Sequence, residues 1–249
     1  MAAENSYVIR KGRACEQTEL VSFLEQYYFP RESVIRMYLQ KNRYRIDEKE
    51  KKMIKSDIKS TYSVIVANVP SLVAVHEESN KIVGAVLMLV EENPKFANGN
   101  SRDNADKSCA IKISPVTEIP LPFQSKLLDE IATNVVTPAY NSVDLFAEFP
   151  FHRTALKLTF LCVDPEHSRH NLATRLVQEA VIYVENNGIG FIYGLCSSPF
   201  SRKATEKNGF RQFSNVDIMK YRDVDGNLMF DCGESYMISM MAKKIKKID

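Results

Sequence analysis

The stretch TALKLTFLCVDPEHSRHNLATRLVQEAVIYVENNGIGFIYGLC, residues 154–196, decides the fold of this chain. In its first ten residues, from Thr154 to Val163, apolar side chains alternate with smaller or polar ones, which predicts a buried strand. Pro165 has no N–H group to donate to a sheet, so the strand should end before it. The polar residues 167–171 then carry the chain into a helix.

A core-facing helix and a second strand follow. Six apolar residues stand at helical spacing, namely Leu172, Leu176, Val177, Ala180, Val181 and Val184. Asn186, Asn187 and Gly188 tolerate the left-handed backbone that often closes a helix. The apolar run from Ile189 to Cys196 predicts a central strand, parallel to the first and reached by a right-handed crossover. The sequence therefore predicts one βαβ unit.

The turn between the first strand and the helix favours an anion, because free backbone N–H groups and the positive end of the helix dipole converge there. With Val163, Pro165, Leu172 and Ala173, this turn resembles motif A of the GNAT superfamily of acyl-CoA-dependent N-acyltransferases. In that motif the loop wraps the pyrophosphate of coenzyme A. The resemblance implies an α/β GNAT fold, in which helices flank a mixed sheet and a central parallel strand pair splays around acyl-CoA.

The resemblance also implies acetyl-CoA as the co-substrate. The residues that it assigns to acetyl-CoA binding are Leu161, Cys162, Val163, Ser168, Arg169, His170, Asn171, Leu172, Ala173 and Thr174. Ser168 stands where the motif usually has Arg or Gln, and Asn171 stands where it usually has Gly. Asparagine tolerates unusual backbone angles, so the loop should form, but its side chain crowds a diphosphate and should weaken binding. Arg169 and His170 would restore part of the missing positive charge.

The second strand leads into a short helix, with Pro199 in its first turn and Asn208-Gly209 at its end. Ser197 and Ser201, four residues apart at this point, resemble the insect arylalkylamine N-acetyltransferase branch of the superfamily. The resemblance implies that one of these serines donates a hydrogen bond to the departing thiolate. The alternative is that they cap the helix.

A glutamate near the N-terminus is the predicted general base. A helix over Glu16 to Phe29 should end at Pro30. In the arylalkylamine branch a Phe-Phe-x-x-Glu-Pro segment follows the first helix, and its glutamate is the base. Glu32 is the matching position, although Ser33 replaces the proline. The alternative is that Glu32 belongs to the first turn of the next helix and interacts with its dipole.

The aromatic residues before this glutamate, Tyr28 and Phe29, should contact the amine substrate. Asp144 and Glu148, beside Phe146, are further candidates for amine binding or are simply solvated. They lie in a short helix predicted within residues 143–148, which follows a helix predicted from residue 123 onward. Both helices should form walls of the substrate site.

The rest of the chain should complete one GNAT-like domain over residues 1–249, with a loop insertion at about residues 93–120. The pattern predicts a first strand at residues 7–10, a lysine-rich surface helix at 45–60 and a hairpin of strands at 71–76 and 81–91. A last hairpin is predicted at 210–221 and 234–243.

Composition excludes several classes of function. A net charge of +2 is too small to indicate a nucleic-acid partner. Residues 1–6 lack the apolar core of a signal peptide, and the longest apolar run, Ile82 to Val90, is too short to span a bilayer. The five cysteines show no metal-ligand spacing, so neither disulfides nor a metal site is expected. We expect a cytoplasmic monomer without a membrane partner.

Acetyl transfer from acetyl-CoA to a small primary amine, either an arylalkylamine or a compound like agmatine or a polyamine, is the predicted function. Such an amine has a pKa of roughly 10 and must lose a proton before it attacks the thioester. A carboxylate in a partly dry aromatic site is a suitable base. Two alternatives stay open: a degenerate GNAT module that binds acyl-CoA without turnover, and a protein N-acetyltransferase.

Overall fold

The computed structural model describes residues 6–97, 123–223, 225–230 and 235–245. The strands are β1 (Tyr7–Lys11), β2 (Ser71–His76), β3 (Lys81–Glu92), β4 (Thr154–Val163), β5 (Phe191–Cys196), β6 (Arg211–Asp217) and β7 (Met237–Lys244). The helices are α1 (Gln17–Phe23), α2 (Ser33–Lys41), α3 (Glu48–Asn68), α4 (Pro94–Ala97), α5 (Lys126–Ile131), α6 (Thr137–Tyr140), α7 (Leu145–Glu148), α8 (Leu172–Asn186) and α9 (Pro199–Lys207). Helical turns of π geometry occupy Leu24–Tyr28 and Ala132–Val136.

The strands form one sheet of seven in the order β1-β2-β3-β4-β5-β7-β6. β4 and β5 are parallel, and the other neighbouring pairs are antiparallel. This confirms the predicted α/β class with a mixed sheet and a central parallel pair. The predicted βαβ unit is also confirmed, since β4 and α8 have the expected bounds and β5 begins two residues later than expected. Gly188, at φ 64°, ends α8 in the predicted left-handed conformation.

The parallel pair separates after four residues. Its register runs from Ala155 opposite Phe191 to Leu158 opposite Gly194, and the strands then diverge. β4 also shifts register against β3 at this point, where Thr159 is the extra residue of a bulge. Bulges bend the strand that carries them, so the bulge widens the opening toward the carboxyl ends of the two strands.

Helices cover both faces of the sheet. On one face, α8 and α9 pack over the central strands around Leu156, Leu176 and Ile192, which are fully buried. On the other face, α1, α3 and α5 enclose a second core that includes Leu24, Leu87 and Leu128. The sheet is therefore buried on both sides at its centre, as the apolar composition of β4 and β5 predicts.

Two helix predictions need correction. The helix predicted over residues 16–29 is α-helical only from Gln17 to Phe23, and it continues as the π turn and a tight turn at Phe29–Arg31. The helix predicted at 45–60 runs instead from Glu48 to Asn68, because Asp47 caps it by accepting a hydrogen bond from the N–H of Glu50 at 2.7 Å. It is more than a surface cover, since one of its faces contributes buried side chains to the core.

The other predicted elements are found close to their expected positions. The first strand, the β2–β3 hairpin, the helices after residue 123 and the final pair of antiparallel strands are confirmed. In the predicted loop insertion, residues 94–97 form α4, and residues 98–122 lie outside the described residues. None of the helices in the described ranges combines the length and the apolar character needed to cross a membrane.

Candidate active site

A cleft of about 510 Å³ opens where β4 and β5 separate. β4 contributes Leu158, Thr159, Leu161, Cys162 and Val163 to its walls, and β5 contributes Gly194, Leu195 and Cys196. The other walls come from both faces of the sheet: Tyr28 and Glu32 lie on the α1 side, whereas Ala173 and Thr205 lie on the side of α8 and α9. Residues from both faces of the sheet therefore line the cleft.

Glu32 lies at this cleft because the chain turns sharply after α1. The π turn and the turn containing Pro30 end at Glu32, whose N–H donates to the carbonyl of Tyr28 at 2.9 Å. Glu32 is also the N-cap of α2, and its Oε2 accepts a hydrogen bond from the N–H of Ile35 at 2.7 Å. The two interpretations of Glu32 are therefore compatible in geometry, since the capping residue also lines the cleft.

The surroundings of Glu32 raise its pKa. Burial of the carboxylate is the largest cause, and hydrogen bonds from the backbone of Ile35, the Ser197 hydroxyl and the backbone of Val34 oppose it. Tyr28 lines the same cleft as Glu32 and packs edge-on against Tyr62 and Phe160 at centroid distances of 6.3 and 4.9 Å. A carboxylate with a raised pKa is a stronger base once it is ionised.

The serine cluster differs from the prediction in its details. Ser198, which the sequence analysis did not single out, is the N-cap of α9, and its Oγ accepts a hydrogen bond from the N–H of Ser201 at 3.1 Å. The Ser201 hydroxyl lies 3.0 Å from that of Ser198 and belongs to the same capping arrangement. Ser197 lines the same cleft, and its side chain lowers the pKa of the Glu32 carboxyl group.

Tyr236 is a cleft residue that the sequence analysis missed. Its hydroxyl donates to the carbonyl oxygen of Ser197 at 2.8 Å and so supports the serine that contacts Glu32. No local pattern marks this tyrosine, which reaches the site from the segment before β7. Arg31 was also missed; its guanidinium donates to the carbonyl of Val163 at 2.9 Å, at the mouth of the cleft.

Two thiols line opposite walls of the cleft, Cys162 on β4 and Cys196 on β5. Burial raises the pKa of the Cys162 thiol to about 12, and it is also the main cause that raises the pKa of Cys196. Both are therefore neutral thiols at physiological pH and poor nucleophiles.

The loop between β4 and α8 has the unusual backbone that the sequence predicted at Asn171, where φ is 55°. Arg169 also has a left-handed backbone, with φ 69°, which the sequence did not predict. Among the described residues the Asn171 side chain makes no bond that caps α8, although Asn171 is its N-cap. The first N–H groups of α8 are thus left without intrahelical partners next to the cleft.

The predicted acetyl-CoA residues occupy different positions around the cleft. Leu161, Cys162, Val163 and Ala173 line it. The side chain of Leu172 is buried in the core, so that its backbone alone faces the loop. Ser168, Arg169, His170 and Thr174 belong to the loop and the first turn of α8 rather than to the cleft wall, and the ring of His170 packs against Tyr7.

The predicted amine-binding residues lie in four different places. Tyr28 lines the cleft with Glu32, whereas Phe29 lines a separate hollow between α1 and α3. Asp144 and Phe146 line a second cavity of about 460 Å³. Asp144 is also the N-cap of α7, where it accepts a hydrogen bond from Ala147 N–H at 3.0 Å. Glu148 is exposed on α7 and is not among the residues lining that cavity.

No family model matches the chain. Solved structures with the same architecture include arylalkylamine N-acetyltransferase 2 from Aedes aegypti, with a TM-score of 0.67, 17% identity, and coverage of 97% of this chain and 100% of that one. A mosquito arylalkylamine N-acetyltransferase like 5b gives a TM-score of 0.65 at 19% identity, covering 96% of this chain and 100% of that one. The Drosophila melanogaster polyamine N-acetyltransferase gives a TM-score of 0.63 at 16% identity, covering 96% of this chain and 100% of that one. The chain has the fold of GNAT acetyltransferases, and the predicted resemblance to the insect branch is confirmed at the level of the fold.

Proposed function

We propose that this chain transfers an acetyl group from acetyl-CoA to a small primary amine, with Glu32 as the general base. The observation that carries the proposal is a carboxylate with a raised pKa that lines a cleft between splayed parallel strands. Its structural neighbours include proteins named as arylalkylamine and polyamine N-acetyltransferases, which supports the same class of acceptor.

The cleft has the groups that an acyl-CoA requires. Beyond Leu158 and Gly194 the facing edges of β4 and β5 are no longer paired with each other, so their backbone groups can bind the amides of the pantetheine arm. The N-terminus of α8 and the loop of residues 168–171 are suited to the diphosphate, and Arg31 adds positive charge at the mouth of the cleft. When bound, acetyl-CoA supplies the activated acyl group as a thioester.

Glu32 would take the proton from the ammonium form of the acceptor. The neutral amine then attacks the thioester carbonyl, a C–N bond forms and the C–S bond breaks. The second proton of the amine nitrogen passes to the departing sulfur, which leaves as the free thiol, and Glu32 releases the first proton to solvent. The Ser197 side chain, which lowers the pKa of Glu32, stabilises the ionised carboxylate before the transfer. Ser197 and Ser201, both at the cleft, remain the two proposed donors of a hydrogen bond to the departing thiolate.

The amine portion of the substrate would lie on the α1 side of the sheet. Tyr28 and its aromatic neighbours provide an apolar surface beside Glu32. The second cavity, with Phe146 and Asp144 in its wall, would hold the distal part of the amine. Phe29 and Glu148 remain proposed contacts, although they line neither of these two cavities.

The decisive assay incubates the chain with acetyl-CoA and a panel of arylalkylamines, agmatine and polyamines, and measures release of free thiol. We expect thiol release that depends on the amine and is matched by acetylated product. Ser168 and Asn171 motivate a second candidate, a module that binds acyl-CoA without turnover. Calorimetric binding of acetyl-CoA with no thiol release for any amine would support that second candidate and overturn the first.

Replacing Asn171 by glycine should tighten acetyl-CoA binding by about three- to tenfold. The substitution removes a side chain from the proposed diphosphate path and relieves an unfavourable left-handed backbone at φ 55°. Isothermal calorimetry of the wild type and the variant measures the change.

The matched control for this change is Asn80→Gly, because Asn80 has a similar left-handed backbone, with φ 51°, in the β2–β3 turn. Relief of backbone strain alone should stabilise both variants similarly, whereas acetyl-CoA affinity should change only in Asn171→Gly. Weaker binding by Asn171→Gly would mean that the asparagine side chain contacts the ligand.

A further inference from the structure

The second cavity contains a cation site that is already occupied by a residue of the chain itself. The Nζ atom of Lys157 lies 3.8 Å from the centroid of the Tyr140 ring and 3.8 Å from Oε1 of Glu91. The hydroxyl of Tyr193 donates a hydrogen bond to the other oxygen of the same carboxylate. A carboxylate combined with aromatic faces is the arrangement with which proteins bind organic cations. We refer to Glu91, Tyr140 and Tyr193 as the cage.

The cage is largely enclosed. The side chains of Lys157 and Glu91 are 20% and 27% exposed, and both residues line the second cavity. Burial lowers the pKa of Lys157, and the Glu91 carboxylate, 3.8 Å from its Nζ atom, opposes this shift. Because solvent screening is weak in such a place, the Lys157 charge acts strongly on any other charge that enters the cavity.

The second cavity neighbours the proposed active site on the same face of the sheet. Leu195 lines the cleft and packs against the cluster that contains Tyr193 and Met240, which line the second cavity. Tyr140 interacts electrostatically with both Glu91 and Glu32. Burial is the largest cause that raises the pKa of Tyr140, and the charges of these two carboxylates raise it further. An amine held at Glu32 can therefore extend its distal end toward the cage.

We propose that Lys157 is a specificity-determining residue that excludes acceptors with a second positive charge. A second ammonium or guanidinium would have to approach the lysine and compete with it for Glu91 and the Tyr140 ring. The remaining wall includes Phe146, Phe191 and Met240, which suit an uncharged apolar or aromatic tail. Asp144 also lines it, but its carboxylate caps α7 by accepting a hydrogen bond from the N–H of Ala147. The substrate class is therefore a monoamine of the arylalkylamine type rather than a diamine, polyamine or agmatine. This inference rests on the proposed acetyltransferase function.

The test uses two acceptors of equal length, hexylamine and hexamethylenediamine, which differ by one terminal ammonium. The wild type should favour hexylamine in kcat/KM by at least about tenfold. Lys157→Met, which keeps the length of the side chain and removes its charge, should lower that preference by about tenfold or more, because Glu91 and Tyr140 become available to the diamine. Lys157→Arg is the matched control, and it should retain the wild-type preference.

The double variant Lys157→Met/Glu91→Gln should lose the increase in kcat/KM for hexamethylenediamine that Lys157→Met alone produces. This result would show that the increase depends on the Glu91 carboxylate and not on the space left by the lysine. If Lys157→Met does not fold, Lys157→Gln provides the neutral side chain. An unchanged ratio in the folded neutral variant, or a wild type that accepts both amines equally, would overturn the assignment of Lys157 while leaving acetyl transfer intact.

Direct binding separates this inference from the proposed function. If the wild type acetylates neither of these two amines nor any amine of the panel above, the proposed function fails, and calorimetric titration with hexamethylenediamine still tests the cage. Binding at least about tenfold tighter in the neutral variant than in the wild type would support the cage. Equal binding by both proteins would reject it.

Discussion

Replacement of Glu32 by glutamine should lower kcat for amine acetylation by about 10²–10⁴-fold while acetyl-CoA affinity stays nearly unchanged. The variant keeps an oxygen that can accept the hydrogen bond from Ile35 N–H, but it loses the group that takes up a proton. Steady-state kinetics with a monoamine acceptor and calorimetry with acetyl-CoA measure the two quantities.

The control for this variant is Glu25→Gln. Glu25 lies on the π turn of the same segment and is half-buried, but it lines the hollow between α1 and α3 rather than the cleft. Its replacement should leave kcat within about twofold of the wild type, since no proton transfer depends on it. Because the glutamine keeps an acceptor for the α2 cap, the Glu32 variant should lose less than about 1 kcal/mol of stability, and urea denaturation must show that it is folded under assay conditions.

The pH dependence of kcat/KM tests the role of Glu32 independently. Glu32 must be ionised to accept a proton, so kcat/KM should rise with pH through its pKa, which burial raises above the ordinary value for glutamate. In Glu32→Gln this limb should disappear, and the rate should recover only as pH approaches the pKa of the amine, roughly 10. A folded variant that keeps the wild-type kcat and the same limb would show that Glu32 serves only as a helix cap.

Replacement of Leu176 by alanine should lower the free energy of unfolding by about 2–5 kcal/mol. Leu176 is fully buried on α8 and packs against β3, where a Cβ added to Gly84 would lie 3.3 Å from its Cδ1 atom. Truncation removes apolar contacts and leaves a cavity between the helix and the sheet. Urea denaturation should show a lower midpoint with an unchanged slope.

Ile182→Ala on the same helix is the comparison, because Ile182 is 38% exposed. Its free energy of unfolding should change by no more than about 0.5 kcal/mol, since a solvent-facing side chain contributes little burial and alanine favours helix. Equal losses in the two variants would indicate that helix propensity rather than packing against the sheet controls the stability of α8.

Short-range patterns in the sequence were sufficient to predict the βαβ unit of β4, α8 and β5 at the centre of the fold. The alternation in β4, the apolar spacing of α8 and the end of that helix at Gly188 depend on residues a few positions apart, and each is found as predicted. The left-handed backbone at Asn171 follows from the same local chemistry. With the resemblance of the motif, these features were enough to predict the GNAT fold.

The course of the first helix and the start of α3 could not be predicted as well. The π turn at Leu24–Tyr28 preserves apolar spacing while it changes the direction of the chain, so periodicity does not distinguish it from an α-helix. Capping by Asp47 fixes the start of α3, and burial against the core extends that helix to Asn68. In both cases packing overrides a weak local preference.

The site itself was decided by tertiary structure. The resemblance of the sequence identified Glu32 as a candidate general base. The raised pKa of Glu32 and the effect of Ser197 on it arise only when the segment after α1 lies against the end of β5. The bond from Tyr236 to Ser197 spans 39 residues, and the cage around Lys157 joins β3, β4, β5 and α6. Such contacts depend on strand order and on the exclusion of water by the assembled core, which no local pattern contains. The sequence therefore determined which elements form, and the tertiary structure determined which charges meet at the cleft, because burial and distance set the strength of their interaction.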